Sequence, residues 1–212
     1  MRTRQRLVKL KEWVQAEICR GRIMKAPGPG MDFSKICRQE PGTWIGFAPA
    51  RAGDAPGSEL LRVTPGILIM PLGGNIRNME EKRFDRYSGV RRPKELGQSF
   101  NVCFQFSVYE PGIRLPGFDE GGKVDTEKVL EGTEEGILTL CDWMDDLKDR
   151  LLAERAIPGT DLIFEATQGT YTPLQDGGYV VDKRPIFYGF VNASFQCYAD
   201  DVHGDVLDEF LN

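Results

Sequence analysis

SFNVCFQFSVYE, residues 99–110, alternates apolar and polar side chains without a slip. Phe100, Val102, Phe104, Phe106 and Val108 fall on one face, and Asn101, Cys103, Gln105, Ser107 and Tyr109 on the other. Successive side chains of a strand leave opposite faces of its sheet, so this stretch predicts a half-buried strand in a mostly antiparallel sheet. PIFYGFVNASFQCYA, residues 185–199, repeats the pattern, with Phe187, Val191, Ala193, Phe195 and Cys197 sharing a face. Two apolar strand faces need a covering layer. TEEGILTLCDWMDDLKDRLLAE, residues 133–154, supplies one, because Ile137, Leu140, Cys141, Met144, Leu147 and Leu151 recur at helical spacing. Thr133 reads as its N-cap, with Glu134 and Glu135 in the first turn, where the helix dipole favours anions. Pro158 and Gly159 stop it.

Outward from this centre, residues 4–20 predict a second helix, with Leu7, Leu10, Val14 and Ile18 on one face and Trp13 beside them. Arg4, Lys9, Lys11 and Arg20 flank that face, so the helix either docks on its own sheet or turns a basic side to a partner or a nucleic-acid lumen. Residues 31–58 read as irregular, with a short strand candidate at Thr43–Ala48. Ile67 to Met70, after Pro65-Gly66, are apolar on both faces and suit a central strand. Leu162–Ala166 gives a further strand, and Gly177-Gly178 marks a hairpin turn. The predicted fold class is α+β, an α/β sandwich in which an N-terminal and a central helix pack a mostly antiparallel sheet. A single domain is expected over residues 1–200, with loop insertions at 26–58, 73–98 and 110–132 and an acidic tail at 201–212.

The net charge of -5 is unevenly placed. Residues 1–25 and 77–94 are basic, whereas residues 119–154 and the last thirteen residues are acidic. An acidic chain is poorly suited to tight duplex binding, which is driven by counterion release at phosphates. Separate patches of opposite sign suit contact between subunits. Arg83, Arg86, Arg91, Arg92 and Lys94 crowd one long loop, with Phe84 and Tyr87 among them. Such a loop can anchor a protein interface, where Arg and Tyr are favoured, lie solvated, or stack and grip nucleic acid. Asp142, Asp145, Asp146 and Asp149 form the polar side of the central helix. They read as a solvated face or as a rim that pairs with a neighbour's basic loops.

Little in the sequence points to catalysis. The one histidine, His203, lies in the acidic tail, away from any patterned segment. No nucleophile elbow, phosphate-binding loop, dinucleotide fingerprint or HExxH run occurs. Asp119, Glu120 and Asp125 lack the regular oxygen spacing of a calcium loop, so no metal or other cofactor is expected. The five cysteines contain no CxxC pair and read as reduced thiols in or near the core of a cytoplasmic protein. The first 25 residues lack the apolar stretch of an export signal, and no apolar run is long enough to span a bilayer. An enzyme is not expected.

Three runs together carry a resemblance: FDRYSGVRRPKELGQSFNVCFQFSVYEPG (84–112), TLCDWMDDLKDRLLAERAIPGTDL (139–162) and YGFVNASFQCYAD (188–200). In order and character this resembles the tail terminator, or tail-completion, proteins of long-tailed bacteriophages, over roughly residues 60–200. The resemblance implies a virion protein of the tail and neck, assembled in the host bacterial cytoplasm. It implies a homo-oligomer, a ring of six copies that caps the tail tube, stops its polymerisation and presents a surface to the neck or head-completion protein. DNA would pass through the lumen without sequence-specific binding. Closed rings use two different surfaces of each subunit, and the basic loop and acidic helix are candidate halves of such a contact. The competing expectations are another phage structural subunit (a head–tail connector, baseplate or minor capsid protein) and a nucleic-acid-binding module.

Overall fold

The two alternating stretches lie side by side as the long central strands of one sheet. The computed structural model describes residues 1–28, 32–47, 63–74, 76–78, 96–110, 126–165, 170–173, 175–176, 179–180 and 185–198. In chain order the elements are α1 (Thr3–Val14) with a π-helical turn (Gln15–Cys19), β1 (Met24–Gly28), β2 (Asp32–Gln39), β3 (Gly42–Ile45), β4 (Gly66–Gly73), β5 (Ile76–Asn78) and β6 (Leu96–Tyr109). Then follow α2 (Thr126–Glu154), β7 (Ile163–Phe164), β8 (Thr170–Pro173), β9 (Gln175–Asp176), β10 (Tyr179–Val180) and β11 (Ile186–Tyr198). The fold is α+β. The main sheet runs β3-β4-β6-β11-β7, with β5 also on β6 and β8 also on β11. Every pairing in it is antiparallel except β3 with β4. The β6–β11 ladder runs unbroken from Gly97↔Tyr198 to Tyr109↔Ile186. β1–β2 and β9–β10 form separate antiparallel pairs, and Gly177-Gly178 lies outside the described residues.

Phe100, Val102, Phe104, Phe106 and Val108 of β6 lie in the main core with Ile67, Ile69, Phe187, Val191, Ala193 and Phe195. Leu10, Trp13 and Val14 of α1 and Leu140, Trp143, Met144, Leu147 and Leu151 of α2 close it from the helix side. Trp143 is fully buried, with its ring edge-on to Phe106 at 5.1 Å between centroids. Its indole N–H donates to the Ile18 carbonyl at 3.3 Å, which locks α2 to the π turn. Trp13 makes the reciprocal tie, donating to Glu154 at 3.0 Å.

The second face of β6 differs from the half-buried strand its alternation predicts. Cys103, Gln105, Ser107 and Tyr109 are buried too. Tyr109 joins Leu68, Ile186 and Tyr188 in a second cluster, with Trp44, Val63 and Phe190 packed on it. A strand flanked by β4 and β11 shares its polar-looking face with theirs, and that shared face is substantially apolar. Burial pushes the Cys103 thiol up to about 11.

Three loop insertions are shorter than predicted. Within 26–58, the Pro27-Gly28 pair ends β1 of a hairpin instead of opening an irregular segment. Within 73–98, β5 and the start of β6 at Leu96 take up both ends. Within 110–132, α2 begins at Thr126, so Thr133 lies inside the helix and is not its cap. Gly132, expected in the loop, and Gly136, inside the expected helix, are both buried within α2. At Gly136 the Phe187 ring occupies the space a Cβ would take. α2 ends at Glu154, before Pro158-Gly159, where Arg155 adopts φ 53°.

Candidate interaction surface

Counting 100° per residue puts the buried stripe of α2 and the positions 138, 142, 145, 149 and 152 on opposite sides of the helix. That outer stripe holds Leu138 and Leu152, 54% and 43% exposed, with Asp142, Asp145 and Asp149 between them. Asp145 receives the Lys148 ammonium at 2.6 Å, and this hydrogen bond raises the Lys148 pKa. Asp142 and Asp149 are exposed and form no ion pair among the described residues. Asp146 stands on the flank of the helix and pairs with the Arg22 guanidinium. The four predicted carboxylates are therefore not equivalent: two are engaged within the chain and two point outward. Arg83, Arg86, Arg91, Arg92 and Lys94 lie outside the described residues, as do the acidic tail and Asp119, Glu120 and Asp125.

Beside Asp146, a groove of about 560 Å³ runs between the π turn and α2. Glu17, Ile18, Arg20, Gly21, Arg22, Asp146 and Arg150 line it. It exists because α1 does not run straight into a loop. The Arg20 N–H reaches back five residues to the Gln15 carbonyl at 3.0 Å, and the widened turn carries Glu17 over to Arg150. Arg150 also pairs with Glu154 at 2.9 Å. Gly21, at φ 79°, then turns the chain so that Arg22 lies over the Trp143 ring, 5.9 Å from its centroid. Burial lowers the Arg22 pKa, with Cys19 and Asp142 opposing the shift. The groove is thus lined by paired charges, a seam that joins the basic N-terminal segment to the acidic helix. Periodicity could not reveal it, because Arg20 reads only as a charge flanking a helix face and Arg22 lies beyond the predicted helix.

A buried cation, which periodicity also cannot reveal, sits on α1. Arg6 is 1% exposed, and its guanidinium forks onto Asp161 at 3.0 and 2.6 Å and reaches Gln98 at 3.3 Å. Burial alone would raise the Asp161 carboxyl, but the hydrogen bond and charge of Arg6 outweigh it and hold the carboxyl below its ordinary value. The contact fastens α1 to the Ile-Pro-Gly turn.

The β1–β2 hairpin presents the other distinctive surface. Met24 and Ala26 face inward and are buried. Lys25 and Arg38 are direct cross-strand partners, as are Pro27 and Ile36, so these four share the outer face. Ile36 is 58% exposed, and Ile23, two residues before Lys25, is 59% exposed. Lys25 is held by Glu110 at 2.7 Å, whereas Arg38 is exposed and forms no ion pair among the described residues. At the sheet edge, Ile45 and Phe47 are also exposed.

Among the described residues, no group of three histidine, cysteine or acidic side chains is placed to hold a metal, and no helix is long and apolar enough to cross a membrane. No protein-family model matches this chain, and no curated protein matches it.

Proposed function

We propose that the protein is a structural subunit of a phage virion, a ring-forming tail terminator. In that role it caps the tail tube, stops its growth and joins the tail to the neck. The observation that carries the proposal is the adjacency of the segments on which the resemblance rests. The strands at 96–109 and 186–198 pair along their whole length, and the helix holding Trp143 lies across them. One continuous unit is thereby built from the described parts of the three runs. The surfaces around it support assembly. The hairpin carries an outward cation and two exposed isoleucines, and α2 carries outward carboxylates and two exposed leucines. A closed ring joins two unlike surfaces of each copy, and these two are unlike. The proposed role is non-catalytic. The tube protein contacts one rim, a neck protein contacts the other, and DNA passes through the lumen held by no base-specific contact.

The test is tube polymerisation. A tail-tube protein of a long-tailed phage is polymerised with and without this chain, and tube lengths are measured by electron microscopy. Substoichiometric addition should arrest growth and leave this chain only at tube ends. Tubes of unchanged length, with the chain unbound or coating the sides, would overturn the assignment.

A further inference from the structure

We propose that the outer face of α1 is a nucleic-acid surface, which grips phosphates through Arg4 and Lys11 without sequence preference. The inference rests on the ring assembly proposed above and names the surface that meets the DNA. Residues 1–11 hold five Lys or Arg and no acid. Arg6 turns inward to Asp161, and the other four reach solvent. The two acids of α1 and its π turn are both engaged, Glu12 by Lys9 at 2.8 Å and Glu17 by Arg150. Neither neutralises Arg4 or Lys11, which form no ion pair among the described residues.

Arg4 and Lys11 are seven residues apart, so they stand on the same side of the helix, about 10.5 Å apart along its axis. That is about the axial rise of three nucleotides in one strand of duplex DNA. Between them lies Val8, and the large apolar side chains this segment exposes are Met1 and Val8, 38% and 40% exposed. Protein contacts centre on buried aromatic and apolar anchors, whereas contacts with nucleic acid are polar, cationic and wet. Free amides would be suited to reading adenine edges. Here they are occupied: Gln5 accepts the Arg2 N–H at 3.0 Å, and Gln15 donates to the Pro41 carbonyl at 3.2 Å. Phosphate contact positions a duplex and carries no sequence information. The face is also held rigid from beneath. Leu10 and Val14 are fully buried, Arg6 forks onto Asp161, and Trp13 donates to Glu154. A preset cationic ridge loses little freedom on contact, and six copies around one duplex multiply a contact that is weak in one. In the ring this places α1 on the lumen wall.

Fluorescence anisotropy of the intact chain tests the surface, with two labelled duplexes of about 20 base pairs and unrelated sequence, over about 20–200 mM salt. Both should bind equally, with log K falling linearly against log salt. Arg4→Gln with Lys11→Gln should weaken binding at least tenfold at the lowest salt. It should also make the slope shallower by about 1.8, since each phosphate contact contributes about 0.9. Arg38→Gln with Lys148→Gln removes the same charge from other surfaces and should change affinity less than threefold. Equal losses in the two pairs would reduce the effect to net charge and overturn the surface. Absence of binding at the lowest salt, or a tenfold preference between the duplexes, would overturn it too. Polyglutamate bound as tightly as the duplex would assign the face to an acidic protein and overturn the proposal. Binding that depends on Arg4 and Lys11, by a chain that leaves tube length unchanged, would support this surface and overturn the ring role. Arrested tubes without such binding would overturn the surface and leave the ring role standing.

Discussion

Replacing Gly136 by alanine should destabilise this protein, against the usual trend for a helix interior. An exposed glycine in a helix gives up about 0.8–1.0 kcal/mol relative to alanine, so the substitution ordinarily stabilises. Here an added Cβ would stand 2.8 Å from Cζ of Phe187 and closer still to two other atoms of that ring. Phe187 is 5% exposed and belongs to the main core, opposite Val108 in the β6–β11 ladder, so it has little room to move. Overpacking of this kind costs about 1–3 kcal/mol, which leaves a net loss of about 1 kcal/mol after the gain in propensity. The sign should reverse when the ring is absent. In a Phe187→Ala background, itself weakened by about 3–5 kcal/mol, Gly136→Ala should stabilise by about 1 kcal/mol. Urea unfolding of the four species, followed by tryptophan fluorescence, measures the cycle. A coupling of about 2 kcal/mol is expected, within the range for residues in contact. If Gly136→Ala stabilises the parent chain by the full helix-propensity difference, the ring does not lie against α2 and the packing described here is wrong.

Leu147→Ala, at a fully buried position of α2, should lose about 2–5 kcal/mol in the same assay, and a loss under about 0.5 kcal/mol would show the stripe to be exposed. The Asp161 carboxyl is held below its ordinary value, so its contribution is present above about pH 4 and lost as pH falls through the lowered value. Asp161→Asn should therefore flatten the acid limb of the stability–pH curve, and an unchanged limb would deny the Arg6 fork its role. Cys103 should resist alkylation at pH 8 until the chain unfolds, while the half-buried Cys37 and Cys141 react first, as peptide mass mapping would record. Arg91→Glu with Arg92→Glu should impair tail completion and leave the melting temperature of the isolated chain nearly unchanged. Early melting would place that loop in the fold, and normal assembly at ordinary salt would make it a bystander.

The central layer was legible because alternation and helical spacing are properties of local sequence. Phe100 to Val108, Phe187 to Cys197, and Leu140, Met144, Leu147 and Leu151 fall on the faces their periods assign, whereas Cys141 of the expected stripe is only half-buried. What periodicity misses is what a neighbouring element adds. Cys103, Gln105 and Ser107 look solvent-facing in isolation and are buried because β4 and β11 enclose β6. Gly136 admits close approach of α2 to the Phe187 ring, which helical spacing does not signal. The hairpin at 24–39 was hidden because Pro27-Gly28, at the end of β1, reads as loop, and its strands are mixed in polarity. For the candidate surface, the carboxylates of α2 could be named from sequence. Their sorting into engaged Asp145 and Asp146 and outward Asp142 and Asp149 depends on Lys148 and on Arg22, and Arg22 is 124 residues from Asp146.

The central claim is that six copies close into a ring at the end of a tail tube. Electron microscopy of tubes assembled with this chain, averaged along the tube axis at the terminus, tests it most directly. Sixfold density at one end, with a mass of about six chains of 23.8 kDa each, is the predicted result. Single copies scattered along the tube wall, or a terminus with no added density, would contradict it.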